Sequence, residues 1–269
     1  MDLRDKVAVV TGASSGIGLA VARHFVRRGV KVALVARTAA TLSRVARDLG
    51  EDHAASFPLD VQDSAAVLDL PKRVIDRFGR LDFVVNNAGA NHRGELLERT
   101  PDELLAILIT NLTAPILLTR AALPHLGRGS VIINVASLAG KIPVPHEATY
   151  SASKAGLRAF SRALDVELRE RGVRVSVVNP GPVDTGFLGD ITNVPDLVFS
   201  QPMSTADEVA DAVLRALDGG LGEVDVPMAS GKLATLGYLS PRLFTFLRPI
   251  LARRGAEKKR AFLAKRSSP

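Results

Sequence analysis

Short, mostly apolar runs recur along this chain, and each gives way to a stretch in which apolar positions return every third or fourth residue. The runs VAVVTG (7–12), KVALVA (31–36), AASFPL near Ala54, DFVVNN near Asp82, SVIINVAS near Ser130, VRVSVVN near Val173 and EVDV near Glu223 read as strands. Helical periodicity runs through Ile17, Ala20, Val21, His24 and Phe25, then over Thr38 to Leu49, Ser64 to Phe78, Thr100 to Leu126, Tyr150 to Arg171 and Thr205 to Leu217. Two helix starts are spelled out. Thr100-Pro101-Asp102-Glu103 offers an N-cap, a first-turn proline and a capping-box glutamate, and Thr205-x-x-Glu208 repeats the box. Strands that are apolar throughout, each followed by a helix, predict a mostly parallel sheet covered on both faces. The result is an α/β, doubly wound, three-layer sandwich with about seven strands. No repeat or linker divides it, so residues 1–240 read as one domain, followed by an extension over 241–269.

Composition changes this picture in two places. The chain has no cysteine, which excludes disulfides, thiolate metal sites and cysteine nucleophiles and fits a reducing compartment. Its net charge of +7 is unevenly held: Arg242 to Pro269 carries nine Lys/Arg against Glu257 alone, leaving 26 basic and 27 acidic groups elsewhere. A nearly neutral body argues against a nucleic-acid-binding core. The N-terminus MDLRDKVAVVTG lacks the apolar core of a secretory signal, so a cytoplasmic protein is expected. The longest apolar stretch, Leu104 to Thr119, is interrupted by Asn111, several threonines and Pro115, and reads as a helix buried on more than one side.

In such a sheet, ligands bind outside the carboxyl ends of the strands. After the first strand comes Gly12-Ala13-Ser14-Ser15-Gly16-Ile17-Gly18, leading into a helix. Glycines permit a tight turn and close backbone approach, and a helix N-terminus offers free N–H groups to a phosphate. At the end of the second strand, where a fold of this kind that binds NAD carries an acid for the ribose hydroxyl, the chain reads Ala36-Arg37-Thr38. A guanidinium there can fork onto a 2′-phosphate, so NADP(H) is expected over NAD(H). Tyr150 stands one helical turn before Lys154, with only Ser151, Ala152 and Ser153 between. A phenol ionises too high for acid/base work at neutrality, and an ammonium at roughly 4.5 Å would favour phenolate by about 3 to 4 kcal/mol. Ser137 ends the fifth strand, where a hydroxyl can hold a carbonyl oxygen or simply start a turn.

These motifs, with Asp60-Val61, Asn86-Asn87-Ala88-Gly89, Asn111 and Asn179-Pro180-Gly181-Pro182-Val183-Asp184-Thr185, stand in an order that resembles the short-chain dehydrogenase/reductase superfamily, in its compact single-domain branch. The resemblance covers about Lys6 to Leu217. It implies a Rossmann-type fold and an NADP(H)-dependent oxidoreductase interconverting a carbonyl and an alcohol on a small, largely apolar substrate, carbonyl reduction being the favoured direction. It implies Tyr150 as acid/base, Ser137 as the group polarising the substrate oxygen, Lys154 as the ribose-holding residue that lowers the tyrosine's pKa, and Asn111 as anchor of a relay water. Cofactor contacts would come from Gly12, Ser14, Ser15, Gly16, Ile17, Gly18, Arg37, Asp60, Val61, Asn87, Ala88, Gly89, Tyr150, Lys154, Pro180, Gly181, Val183 and Thr185. Homodimers or homotetramers built on the Thr100 and Tyr150 helices are implied as well. A catalytically silent cofactor-binding or scaffolding protein of the same fold is the alternative.

Four features stay open at this level. Pro115, which has no N–H, either frees the Asn111 carbonyl for water or only bends its helix. Gly186 to Met203 reads as a mobile lid or a short packed helix. In the tail, Leu243, Phe244, Phe246, Leu247, Ile250 and Leu251 fall at helical spacing beside Arg253, Arg254, Lys258, Lys259 and Arg260. Such a helix can lie on an anionic membrane, cover the pocket or meet another subunit. His92 and His146 are candidate substrate contacts or solvated loop residues, and His24 reads as a partly buried helix residue. No His/Asp/Glu grouping has metal-ligand spacing.

Overall fold

The computed structural model describes residues 2–219 and 222–267, without the side chains of 241, 243 and 265–267. The outermost residues of the 1–240 and 241–269 division, and the place of Leu243 in the tail's stripe, fall outside the described residues. Seven strands form one sheet in the order β3-β2-β1-β4-β5-β6-β7, every adjacent pair parallel. They are β1 (Val7–Thr11), β2 (Lys31–Ala36), β3 (Ala54–Pro58), β4 (Phe83–Asn86), β5 (Val131–Val135), β6 (Arg174–Pro180) and β7 (Glu223–Val226). Alternate side chains serve opposite layers. Ala8, Val10, Val32 and Leu34 pack under α1 (Gly16–Val26), α2 (Ala39–Leu49) and α8 (Ala206–Asp218). Val7, Val9, Ala33 and Val35 pack under α3 (Ser64–Phe78), α5 (Ala114–Ala122) and α6 (Ala148–Glu167). The strand order reverses between β1 and β4, which opens a crevice at their carboxyl ends.

Both capping boxes form. Thr100 Oγ1 accepts from the Glu103 N–H at 3.2 Å while Glu103 Oε2 accepts from the Thr100 N–H at 2.9 Å, and Thr205 and Glu208 repeat the exchange. The helix that begins there departs from expectation. Instead of one α-helix over Thr100 to Leu126, α4 (Pro101–Leu108) passes through a π-type turn, Ile109–Thr113, into α5. Pro115 lies just beyond that turn and has no N–H to give the Asn111 carbonyl four residues back. Burial also differs. Ile107, Thr110, Asn111, Ala114, Pro115, Leu118, Thr119 and Ala122 form a single buried stripe, while Leu105 is exposed. By length and composition Pro101–His125 could cross a bilayer, yet its stripe packs against α3 and the sheet as a core helix does.

Past β7 the chain forms α9 (Met228–Leu239), which the sequence pattern leaves unread, and then α10 (Pro241–Ser267), continuous through Pro249. The segment 186–203 is a series of short packed turns ending in α7 (Asp196–Phe199). Leu188, Ile191, Val194 and Phe199 form a cluster there that Phe262 and Leu263 of α10 cover. Lys259 Nζ donates to the carbonyls of Thr192 at 2.9 Å and Val194 at 2.6 Å. Gly255 is buried against the Asp196 carbonyl, so closely that a Cβ would run into it.

Candidate active site

One cleft of about 470 Å³ lies at the carboxyl ends of the strands, and it gathers nearly every residue singled out above. The turn after β1 enters it. Gly12 takes φ +67°, and a Cβ on Gly18 would run into the Gly12 carbonyl, so the loop and α1 meet backbone to backbone. Ser15 caps α1 without a side-chain bond, and the first-turn N–H groups have no intrahelical partner. Gly12, Ser14, Ser15, Gly16 and Ile17 line the cleft; Gly18 lies buried behind them. A cradle of backbone, free N–H groups and small side chains fits a dinucleotide's phosphates.

The next strand ends complete this cradle. Arg37 at the end of β2 is exposed, lines the cleft and makes no ion pair among the described residues. Asp60 and Val61 follow β3, and Asp60 Oδ1 accepts from the Gln62 N–H at 3.0 Å. Asn87, Ala88 and Gly89 follow β4. The Asn87 side chain is spent on structure, donating to the Thr11 carbonyl at 2.9 Å, so that stretch faces the cleft mainly through backbone. Pro180, Gly181, Val183 and Thr185 follow β6, and the Thr185 methyl would lie 3.4 Å from a Cβ on Gly16, which closes the far side.

Ser137, Tyr150 and Lys154 share the same cleft. Ser137 Oγ accepts from the Ala139 N–H at 3.1 Å and donates to the Pro180 carbonyl at 3.4 Å. The Tyr150 ring rests 6.2 Å from that of Phe187, centroid to centroid. The expected electrostatics are reversed. Burial pushes the phenol up to about 12, the Glu147 carboxylate adds to the rise, and Ser137 and Arg93 oppose it. Burial also pulls Lys154 down to about 8. The ammonium does not reach the hydroxyl: Nζ donates to the Val135 carbonyl at 2.8 Å and lies over the ring, 5.8 Å from its centroid. Lys154 is not among the groups that lower the phenol's pKa here.

Asn111 is fully buried and does not line the cleft, although its neighbour Thr110 does. Its side chain is committed, with Oδ1 accepting from the Ala90 N–H at 2.8 Å and Nδ2 donating to the Ala90 carbonyl at 2.9 Å and to Ser153 Oγ at 3.1 Å. Only its carbonyl could hold water. Two further polar groups on the cleft wall, the Asn91 amide and the Thr110 hydroxyl, are buried without a hydrogen-bond partner among the described residues. Such groups are completed by water or ligand.

Sequence reasoning passed over those two and also missed an ion pair beside the phenol. Arg93 Nε meets Glu147 Oε1 at 2.5 Å, with side chains only 13% and 5% exposed. Arg93 Nη1 also donates to the Leu188 carbonyl at 2.9 Å, tying the 186–203 segment to the start of α6. His92 and His146 line a second, smaller pocket that Glu147 and Tyr150 also border, and His24 bonds Asp207 at 2.9 Å, joining α1 to α8. From the tail, Phe244 and Leu251 reach the main cleft beside Leu233 of α9, so α10 does cover the pocket.

Comparison with known proteins agrees with this arrangement. The family profile described as short chain dehydrogenase matches residues 6–195. A dehydrogenase/reductase SDR family protein 7-like of Anopheles gambiae is 32% identical over 263 residues, covering 91% of this chain and 82% of that protein. A short chain dehydrogenase from Burkholderia cenocepacia, solved in complex with NADP, superposes with a TM-score of 0.77 at 32% identity, covering 84% of this chain and 97% of that one. A 3-ketoacyl-(acyl-carrier-protein) reductase from Brucella melitensis, complexed with NADH, gives 0.75 at 31% identity, with 83% and 97% covered.

Proposed function

The chain belongs to the short-chain dehydrogenase family of oxidoreductases, and from that premise we propose that it reduces a ketone or aldehyde on a small, largely apolar molecule, using NADP(H). The observation that carries this reading is the meeting of Ser137, Tyr150 and Lys154 with a phosphate-cradling turn in one cleft. When bound, the nicotinamide group supplies the hydride that the carbonyl carbon takes up. The chain's own residues handle the oxygen. Ser137 holds it, and Tyr150, protonated across the neutral range, gives it a proton. Lys154 would hold the cofactor ribose. The Thr110 hydroxyl and the Asn91 amide on the cleft wall offer hydrogen bonds to water or substrate. The wall of Leu233, Phe244 and Leu251 excludes water and suits an apolar substrate arm.

The cleanest test follows NADPH absorbance while a panel of ketones and aldehydes is screened. Binding of NADPH with no turnover on any carbonyl would favour a silent cofactor-binding protein instead. Preference for the phosphorylated cofactor rests on Arg37, which stands free at the edge of the cradle. Replacing it (Arg37→Asp) removes a charge-assisted fork and adds repulsion, so the KM for NADPH is expected to rise about 10- to 100-fold while that for NADH changes little. Equal effects on both would remove the preference. Helices α4 and α6 leave Leu105 and Val166 outside, and a homodimer or homotetramer is proposed to cover them, which light scattering reads directly.

A further inference from the structure

Helix α10 has two opposed sides. Inward, Phe244, Leu251 and Gly255 face the cleft and α7. Outward, Arg242, Phe246, Pro249, Ile250, Arg253, Glu257 and Arg260 follow one another at helical spacing, and all are exposed. Phe246 is 73% and Ile250 60% exposed. On α9, just before the turn at Ser240, Leu236 and Leu239 are 58% and 74% exposed. Large apolar side chains at such exposure, clustered in one stretch of chain, mark a surface that meets something other than water. The charge around them is of one sign. Between Met228 and Ala264 the exposed charged residues are Lys232, Arg242, Arg248, Arg253, Arg254, Lys258 and Arg260, against the single acid Glu257.

We propose that the outward face of α9–α10 is a docking surface for an anionic lipid bilayer, with Phe246 and Ile250 entering the headgroup boundary and the arginines beside them meeting lipid phosphates. An apolar stripe flanked by arginine and lysine is the chemistry of a helix lying in a membrane interface. A second copy of this chain is a poorer occupant, because a twofold contact would set the same basic face against itself. The helix is already held in place by Lys259 and by the Phe262–Leu263 cluster, so docking need not order it first. Since Phe244 and Leu251 line the cleft from the same helix, docking brings the pocket beside the lipid, where apolar carbonyl compounds are concentrated. That last consequence rests on the proposed activity; the docking itself does not.

The test is sedimentation of the full chain with vesicles of phosphatidylcholine alone or mixed with phosphatidylglycerol, beside the Phe246→Ser/Ile250→Ser variant. Wild type is expected to partition onto the anionic vesicles and less onto the neutral ones. The variant should lose about tenfold or more of that partition while keeping its circular dichroism, thermal midpoint and NADPH affinity. Equal partition of variant and wild type would overturn the proposal, since adsorption would then be purely electrostatic. So would no partition at all. A wild-type oligomer that the variant converts to a smaller species, with no lipid binding by either, would assign the face to self-association instead.

Discussion

Replacing Tyr150 with phenylalanine is expected to lower turnover by about 10²- to 10⁴-fold, the range for loss of a positioned proton donor, while NADPH affinity stays close to wild type. The ring's packing against Phe187 and beneath Lys154 needs no hydroxyl, so the variant keeps its shape. Only the hydroxyl and its proton are removed, at a point where Ser137 opposes the rise in the phenol's pKa. Retained turnover would move the acid role elsewhere. The pH dependence sharpens the test. A phenol held up to about 12 remains a proton donor throughout the neutral range, so reduction should show no alkaline loss from this group until pH approaches that value. With only two tyrosines in the chain, a Tyr238→Phe background leaves Tyr150 as the sole phenolate signal. In the cofactor-free protein that signal should appear only near pH 12. Oxidised cofactor, which brings positive charge to the cleft, should move it downward.

Why the sequence misjudged this electrostatic balance is instructive. The four-residue interval does put Tyr150 and Lys154 on one side of α6, as helix geometry requires. It carries no information about where a long, flexible side chain finds its best acceptor. Here the ammonium is buried and turns to the carbonyl of Val135, at the end of β5. The strands were legible for the opposite reason: Val7–Thr11 and Val131–Val135 are buried at every position and apolar but for Thr11 and Asn134, and two-sided burial leaves few other readings. The turn after β1 was legible because its glycines answer to backbone geometry, which is local. The π-type turn before Pro115 was half visible, since the proline announces a missing N–H but not how the helix absorbs it. Helix α9 was invisible. Gly231 and Gly237 weaken its periodicity, and Gly231 is glycine because Asp225 occupies the place of a Cβ. Arg93 and Glu147 stand 54 positions apart, and nothing in one sequence pairs them.

That pair supports the second large effect. Truncating Glu147 (Glu147→Ala) leaves the Arg93 guanidinium mostly out of solvent with its Nε partner gone, and breaking one side of a buried ion pair typically costs about 3–5 kcal/mol. Arg93 keeps the Leu188 carbonyl, so the lower end, about 3 kcal/mol, is expected from the shift in urea midpoint. Removing both partners with apolar residues (Arg93→Leu/Glu147→Leu) should recover much of the loss, because neither charge is then stranded. A double variant as unstable as the sum of its singles would show that the two do not act as a pair. The milder Glu147→Gln separates stability from chemistry. It keeps an acceptor for Arg93 but removes the negative charge that helps hold the phenol protonated, so the Tyr150 pKa should fall from about 12. An acid held less tightly gives up its proton more readily, and the alkaline limb of the reduction profile should move to lower pH. If instead the limb stays in place while the urea midpoint drops, Glu147 serves only to tie α6 to the segment that covers the cleft.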